Sequence, residues 1–325
     1  MGKRIGFDLG ATKMLCCVFD EKGKILHRLK RKSVASRKAQ EVYGAIVQCI
    51  EDCLEEASIP LAELEGIGMG APGVVDFRKG IVLEAPNLGF QNYPLRKQLE
   101  KTFSLPAVVD NDVNLATYAE VRKGSVKGLK HVIGLFPGTG LGSGIVLNGE
   151  LYRGAFGAAG EVGHTIVEIE GRLCGCGGYG HLEALVSRSA IAKDVVALAA
   201  SGKAPTVFDK AGTEYRKIKS GLLKKAVDAG EKEVEKAVLR SAWFLGMGMA
   251  NLVHILNPEA FVLGGGLVEK FGTFYVEAAE ESLKKHALPS LARSVRVRIS
   301  NFLDDAVAVG ASLLLAEELK EKDRG

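Results

Sequence analysis

The stretch from Glu161 to Glu183 combines metal-binding residue types with glycines and carboxylates. It reads EVGHTIVEIEGRLCGCGGYGHLE. Two imidazoles and two thiols form the ligand set of a closed tetrahedral Zn²⁺ site, and the glycines allow the tight turns that bring such ligands onto one ion. We therefore predict a structural zinc that fixes the directions of the two terminal carboxylates. The predicted ligands are His164, Cys174, Cys176 and His181.

Two other interpretations of this stretch are weaker. A glycine-rich loop could contain Cys and His by chance, but four soft ligands rarely coincide at such spacing. A redox-active pair requires the C-x-x-C spacing, whereas a single glycine separates Cys174 from Cys176. The pattern favours a zinc site with Glu161 and Glu183 as the working groups.

Two turns rich in glycine and threonine have the composition of phosphate-binding turns. The first, Leu9–Lys13, joins predicted strands Arg4–Asp8 and Met14–Phe19. It offers backbone N–H groups, a hydroxyl and an ammonium, all suited to phosphate oxygens, and Asp8 could hold Mg²⁺ through water. A plain hairpin explains this turn equally well if it is considered alone.

The second turn, Pro137–Ser143, lies between predicted strands His131–Phe136 and Gly144–Leu147. In both places a tight turn and a third strand follow, and the two patterns are about 130 residues apart. This repeat predicts two related α/β domains that face a shared nucleotide. The glycines fit neither the G-x-G-x-x-G template nor the G-x-x-x-x-G-K-[ST] template.

Asp112 is the candidate catalytic residue. It lies between a predicted strand, Leu105–Val109, and a predicted helix, Asn114–Lys123, and such junctions often carry catalytic groups. A helix N-cap is the structural alternative for an Asx residue here. A calcium loop is excluded because its sixth position would be Leu115 rather than glycine.

Three further segments are candidates for ligand contact. Gly73 ends a close-approach loop, and Asn87 belongs to Ala85–Asn92, which we predict to be an irregular loop whose amides suit sugar hydroxyls. Gly264–Gly266 follows the predicted strand Phe261–Leu263 and is interpreted as a third close-approach turn, suited to the sugar or base of a nucleotide.

The predicted helices serve as scaffold. Ala39–Ala57 is amphipathic, with two of its cysteines on the packing face, and Leu182–Ala200 is helical. Glu214–Ala237 is helical with a break near Gly230, and Ser241–Leu256 is an apolar helix. We assign none of them chemistry.

Composition limits the classes of protein to which the chain can belong. With 325 residues, 47% hydrophobic residues and a formal charge of +4, it suits two globular domains and gives no nucleic-acid signal. The basic segment His27–Lys38 is interpreted as a solvated strand end and loop. No apolar stretch reaches 18 residues, and the N-terminus has no signal-peptide pattern. The cysteines show no disulfide framework, so we expect a cytoplasmic protein without a membrane partner.

Taken together, several motifs resemble those of the ROK family of sugar kinases. They are, in order, FDLGATK, VDNDVNLA, GTGLGSGIVLNGELYRGAFGAAGEVGH, CGCGGYGHLE and NPEAFVLGGG. The resemblance covers nearly the whole chain and implies a two-domain actin-like ATPase (ribonuclease H-like) fold with a cleft between the domains. The smaller domain is expected to comprise residues 1–113 and 304–325, and the larger one residues 114–303. Because the first turn begins within ten residues of Met1, we expect no DNA-binding helix-turn-helix ahead of it.

The resemblance also implies roles for individual residues. Asp112 matches the catalytic base, and the zinc ligands match except that the family usually has Cys where this chain has His181. Ala11 replaces a commoner glycine. The sugar-binding set is Gly73, Asn87, Asn111, Asp112, Glu161, His164 and Glu183. The nucleotide-binding set is Asp8, Gly10, Thr12, Lys13, Gly138, Thr139, Gly140, Gly264, Gly265 and Gly266.

The activity implied is ATP-dependent phosphorylation of the 6-hydroxyl of glucose, a glucokinase activity that uses ATP, Mg²⁺ and a structural Zn²⁺. N-acetylmannosamine, N-acetylglucosamine, fructose, mannose and allose remain alternative substrates, and polyphosphate an alternative donor. A non-catalytic sugar sensor and an actin-like filament ATPase are the rival classes. An intact Asp112 and two phosphate turns favour a kinase. The resemblance further implies a homodimer or homotetramer.

Overall fold

The computed structural model describes residues 2–10, 12–34 and 36–322, so Ala11 lies outside the described part of the chain. Strands and helices are mixed along the sequence. The strands are β1 (Lys3–Leu9), β2 (Lys13–Phe19), β3 (Ile25–Lys32), β4 (Leu64–Ala71), β5 (Val74–Asp76), β6 (Ile81–Ala85), β7 (Phe90–Tyr93), β8 (Ala107–Asn111), β9 (Val132–Pro137), β10 (Leu141–Leu147), β11 (Glu150–Leu151), β12 (Ala260–Leu263) and β13 (Arg296–Ile299). The helices are α1 (Ala39–Ala57), α2 (Leu95–Phe103), α3 (Asp112–Lys123), α4 (Glu183–Val186), α5 (Arg188–Ala200), α6 (Pro205–Ala211), α7 (Ser220–Asp228), α8 (Lys232–Leu256), α9 (Gly265–Phe271), α10 (Thr273–His286), α11 (Pro289–Ala292) and α12 (Ala306–Lys322).

The chain forms two compact units. The first comprises Met1–Gly128, Leu151–Ala159 and Asp304–Gly325, and the second comprises Leu129–Glu150 and Gly160–Leu303. None of the helices in the described part of the chain is both long and apolar enough to cross a bilayer.

The predicted domains, 1–113 with 304–325 and 114–303, differ from these units in two places. Helix α3 belongs to the first unit because it packs along α12. The segment that follows β11 also belongs to the first unit, where Arg153 forms an ion pair with Asp110. The predicted division into functional domains stays a prediction.

A five-stranded sheet with the order β3-β2-β1-β4-β8 forms the centre of the first unit. The first three strands are antiparallel neighbours, and β4 and β8 run parallel to β1. β1 is buried along almost its whole length, whereas the basic edge strand β3 alternates between half-buried and exposed residues. Helix α1 packs on β2 and β3 through an apolar stripe that includes Cys49 and Cys53. The predicted meander and amphipathic helix are confirmed.

The second unit contains a sheet with the same arrangement, β11-β10-β9-β12-β13. β10 is antiparallel to β9, and β12 runs parallel to both β9 and β13. Helices packed on this sheet provide most of the core, in which Leu245, Phe261 and Tyr275 have no exposed surface. The repeat that the two turns predict is therefore a repeat of the whole sheet order.

Two predicted helices end at other places than the sequence suggests. Leu182–Ala200 is two helices, because Ser187 is extended and its hydroxyl accepts a hydrogen bond from the first turn of α5. Glu214–Ala237 contains α7 and the beginning of α8, with the predicted break at Gly230 confirmed by its φ of +84°. Helix α8 then continues without interruption through the predicted Ser241–Leu256.

The prediction of an irregular loop at Ala85–Asn92 is wrong. β6 and β7 pair as an antiparallel hairpin and form a third sheet with β5. Val82 of β6 and Phe90 of β7 are both buried and pack into the core of the first unit. The turn between the strands carries Gly89 with a φ of +67°, a conformation that glycine adopts at no steric cost.

Candidate active site and metal centre

Asp112 is the first residue of α3, directly after β8. Asn111 is the N-cap, and its side-chain oxygen accepts hydrogen bonds from the backbone N–H groups of Val113 at 2.9 Å and Asn114 at 3.1 Å. The N-cap of α3 is therefore Asn111, and not Asp112, which the sequence alone also allows in that role. Asp112 is half-buried at a helix N-terminus, where the aligned peptide dipoles stabilise an ionised carboxylate.

Asn111 also forms a hydrogen bond with Gly73, another predicted sugar-binding residue. Its amide nitrogen donates to the carbonyl oxygen of Gly73 at 3.1 Å. Gly73 has a φ of +86°, and a Cβ there would lie 2.0 Å from the carbonyl oxygen of Glu84, so the position requires glycine. Asn87 is exposed in the turn between β6 and β7. These three residues keep their sugar-binding role as a prediction.

Asp8 lies near the end of β1 and is only 8% exposed. Burial, followed by the repulsion of the nearby Asp112 carboxylate, raises the pKa of Asp8 to about 7, against a smaller opposing effect of Lys13. Two neighbouring carboxylates are the oxygen donor set that Mg²⁺ accepts. The residues present therefore fit the predicted magnesium site.

This burial yields a stability prediction for Asp8→Asn. Folded Asp8 holds its proton up to about pH 7, whereas the unfolded chain releases it near the ordinary value of 3.8. The free energy of unfolding of the wild-type protein therefore decreases as the pH rises from about 4 to about 7, whereas that of the variant shows no such decrease. We expect the variant to be more stable by on the order of 3 kcal/mol at pH 8 and equal at pH 4, measured by urea unfolding. Asp228→Asn, an exposed carboxylate paired with Lys224, is the control, and an equal difference at both pH values would contradict the prediction.

Arg153 is a residue that the sequence analysis missed. Its guanidinium donates two hydrogen bonds to Oδ2 of Asp110, from Nε at 2.8 Å and from Nη2 at 2.5 Å. The side chain of Asp110 is 2% exposed, and Arg153 also lies 4.0 Å above the ring of Phe77. The pair ties the segment after β11 to the strand end beside Asp112. The two partners are 43 positions apart, so no local pattern predicts them.

The first phosphate turn is held by its own backbone and by Ser33. The N–H of Gly10 donates to the carbonyl of Lys13 at 3.0 Å, and the Ser33 hydroxyl donates to the carbonyl of Gly10 at 2.5 Å. The Ser33 N–H donates to the carbonyl of Thr12 at 3.2 Å. The Lys13 ammonium forms an ion pair with Asp304, so a phosphate would have to share this cation with a carboxylate.

The second phosphate turn has a similar internal bond. The N–H of Gly138 donates to the carbonyl of Gly140 at 2.8 Å, so Gly138 does not offer its N–H to a phosphate. The N–H of Leu141 donates to Oε2 of Glu183 at 2.9 Å. Thr139, between the two glycines, is exposed. The backbone N–H groups of Thr139 and Gly140 are the donors that this turn leaves for a phosphate, and the nucleotide-binding role of Gly138–Gly140 stays a prediction.

The four predicted zinc ligands come together in the second unit. Their ligand atoms all lie within 4.8 Å of one another, with Sγ of Cys174 3.9 Å from Nδ1 of His164 and Sγ of Cys176 3.3 Å from Nδ1 of His181. Such separations suit tetrahedral coordination, in which Zn–S is about 2.3 Å and Zn–N about 2.0 Å. His181, the departure from the family pattern, thus belongs to the cluster. The residues present fit a zinc ion.

The cluster contacts both candidate sugar-binding carboxylates. The thiol of Cys174 donates to Oε1 of Glu183 at 3.4 Å, and burial raises the pKa of this thiol to about 11. His164 faces Cys174 through Nδ1, and its Nε2 lies 3.9 Å from Oε2 of the exposed Glu161. If Nδ1 binds a metal, Nε2 carries the proton and can donate to a carboxylate or a sugar hydroxyl.

Gly264–Gly266 is the beginning of a helix rather than an open turn. Gly264 is the N-cap of α9, and a Cβ there would lie 2.6 Å from the ring of Phe136. Gly265 has a φ of +77° and lies against the carbonyl of Pro137. These two glycines are explained by close packing against the end of β9, and their contact with a nucleotide stays a prediction.

The chain is similar to proteins of one family along almost its whole length. Residues 4–318 match the ROK family. A glucokinase from Halalkalibacterium halodurans is 31% identical over 327 residues, which cover 99% of this chain and 97% of that protein. A xylose repressor from Caldicellulosiruptor bescii is 29% identical, with 98% of this chain and 79% of the repressor covered.

The solved structure of a ROK glucokinase from Streptomyces griseus, in complex with glucose and AMPPNP, is similar to this protein with a TM-score of 0.85 and 31% identity. The match covers 96% of this chain and 99% of that one. The predicted actin-like ATPase fold is confirmed, and each of the two units contains one of the two sheets of equal strand order. From the family match and these similarities, the chain belongs to the ROK family.

Proposed function

We propose that this protein is an ATP-dependent sugar kinase that phosphorylates the 6-hydroxyl of glucose. The observation that carries the proposal is the half-buried carboxylate of Asp112 at the start of α3, with the buried Asp8 close to it. A base next to a magnesium ligand is what transfer of a phosphoryl group to a hydroxyl requires. The glucokinase from Halalkalibacterium halodurans and the Streptomyces griseus complex support glucose and ATP as substrates.

In this proposal the first unit provides the proton acceptor and the metal ligand. Asp112 accepts or orients the proton of the 6-hydroxyl as the oxygen attacks the γ-phosphorus in line. Its oxygen Oδ1 accepts the N–H of Val113 at 2.8 Å, which fixes the carboxylate plane. Asp8 would hold Mg²⁺ through water, and that ion would neutralise charge on the phosphates. Lys13 and Thr12 contact phosphate oxygens at the first turn.

The second unit would provide the remaining contacts. Thr139 and Gly140 present donors to the phosphates, and Glu161, His164 and Glu183 bind the hydroxyls of the sugar. His164, Cys174, Cys176 and His181 would hold a zinc ion that supplies no reaction step. Such an ion would fix the direction of His164, whose Nε2 lies beside Glu161. Asn87 and Asn111 of the first unit complete the proposed sugar-binding set.

The test is ADP release from Mg·ATP across a panel of hexoses and N-acetylhexosamines. We expect a signal with glucose that exceeds every other sugar of the panel in kcat/KM. A signal only with an acetamido sugar would retain the base and the zinc and change the substrate. If no sugar causes ADP release, at concentrations where glucose binding is measurable by calorimetry, a sensor would be favoured. This is the class suggested by the xylose repressor. Assembly into a homodimer or homotetramer is also proposed and is measured by light scattering.

A further inference from the structure

Arg188, the first residue of α5, is a buried cation that the proposed mechanism does not use. It is 8% exposed, its Nη2 donates to Oγ1 of Thr139 at 2.9 Å, and its Nη1 donates to the carbonyl of Ile218 at 2.8 Å. Among the described residues no carboxylate lies within ion-pair distance of it. A buried charge without a counter-charge is costly, which suggests that an anion outside the protein completes the site.

In the second phosphate turn, the backbone carbonyls of Gly138, Thr139 and Gly140 each accept a hydrogen bond. The carbonyl of Gly138 accepts the N–H of Arg188 at 2.8 Å, and the carbonyl of Thr139 accepts the Ser189 hydroxyl at 2.6 Å. The carbonyl of Gly140 accepts the N–H of Gly138. By contrast, the N–H groups of Thr139 and Gly140 have no hydrogen bond to any described residue. The turn therefore presents donors without acceptors, which is the property of an anion site.

The Thr139 hydroxyl connects this surface with the buried cation. A hydroxyl has one hydrogen to donate and two lone pairs to accept. Because Oγ1 already accepts from Arg188, its own hydrogen can point outwards to a ligand oxygen, and Thr139 is exposed. The adjacent guanidinium polarises this O–H and makes it a stronger donor.

The two turns of the repeat differ in where their cation comes from. The first turn carries Lys13 within itself, whereas Pro137–Leu141 contains no Lys or Arg. Arg188, 49 positions from Thr139, lies directly behind the second turn. The position that a lysine fills in the first half of the fold is thus filled from a helix in the second half.

We propose that Arg188 is a positioning residue that supplies the positive charge for the nucleotide's phosphates at the second turn, acting through the Thr139 hydroxyl. This inference rests on the proposed function, because it takes a nucleotide as the ligand. It goes beyond that function by predicting that part of the nucleotide affinity depends on the number of phosphates and on this one buried guanidinium.

The experiment measures the Kd of ATP, ADP, AMP and adenosine by calorimetry for wild type and Arg188→Met. We expect the variant to lose about tenfold in affinity for ATP and ADP, and less than twofold for AMP and adenosine. The salt dependence of ATP binding should also become shallower. Arg188→Lys should recover part of the loss, because it retains the charge without the forked geometry. Arg240→Met, which removes an exposed arginine of the same unit, should change none of these values.

A merely structural role would give equal losses for all four ligands, and that outcome, or unchanged ATP affinity, would overturn the inference. Thr139→Val provides a second variant in case Arg188→Met does not fold. It removes only the hydroxyl on the exposed turn and should show the same dependence on phosphate number. If the variants lose affinity for ATP and ADP as expected but wild type phosphorylates no hexose, the inference stands and the proposed function is wrong. If wild type binds no nucleotide, both are wrong.

Discussion

Replacing Asp112 with Asn is expected to lower kcat for glucose phosphorylation by roughly a thousandfold, while the Kd of glucose changes less than threefold. Asparagine keeps the size of the side chain and can still accept the Val113 N–H through its oxygen. The N-cap made by Asn111 does not involve the replaced side chain, so α3 should begin at the same residue. What is lost is the ability to take a proton from the attacking hydroxyl.

The measurement is steady-state ADP release with glucose titrated at saturating Mg·ATP, together with calorimetric glucose binding. Asp228→Asn is the matched control, because Asp228 is an exposed carboxylate on α7 that pairs with Lys224 on the same helix. Turnover of Asp112→Asn within tenfold of wild type would remove Asp112 from the role of base. Loss of glucose binding along with turnover would instead make Asp112 a residue that holds the sugar.

Replacing Cys176 with Ser is the second large effect that we expect. Cys176 is exposed, so the substitution removes one ligand of the cluster and little packing. With three ligands left, zinc affinity should fall by at least a hundredfold, and protein purified with a mild chelator should lose its zinc. The KM for glucose should then rise by roughly tenfold, because His164 is no longer held in a fixed direction.

Zinc content per chain, by mass spectrometry, and the KM for glucose are measured on the same preparations. Cys49→Ala is the matched control, since Cys49 is a buried thiol of α1 in the other unit and should leave both values unchanged. One zinc per chain in Cys176→Ser with an unchanged KM would contradict the assignment. A zinc-free protein with an unchanged KM would keep the metal centre and separate it from sugar binding.

The features that the sequence predicts well depend on residues that are close along the chain. The zinc ligands Cys174, Cys176 and His181 lie within one short loop, so their spacing alone indicates the cluster. The junction of β8 and α3 is indicated in the same way, although the N-cap is Asn111 and not Asp112. The two phosphate turns are visible for the same reason. Their repetition, together with the positions of the strands, was enough to predict that the chain contains two related halves.

The features that were missed depend on distant partners or on packing. Arg153 and Arg188 obtain their roles from Asp110 and Thr139, which no periodicity connects with them. The split of the predicted helix at Ser187 is decided by a hydroxyl that caps the next turn. Serine favours N-caps but also occurs inside helices, so its presence alone does not mark the break. Gly264–Gly266 has the composition of a turn, yet Gly264 caps α9 and packs against Phe136, a distant partner that no local pattern predicts.

The equal strand order of the two sheets has a consequence for how the chain can change. In the first unit, α1 and a short 3-10 helix are the described helices between β3 and β4, whereas the corresponding stretch of the second unit, from β11 to β12, is longer and contains α4 to α8. Glu161, His164, Glu183 and Arg188 all lie in that longer stretch. Under the proposed function, the sugar contacts of the second unit are thus encoded apart from the strands of its sheet, whereas Asp8, Lys13 and Asn111 of the first unit lie on strands. Substitutions in the stretch from β11 to β12 can therefore change the proposed contacts of the second unit while its strand pairing is preserved.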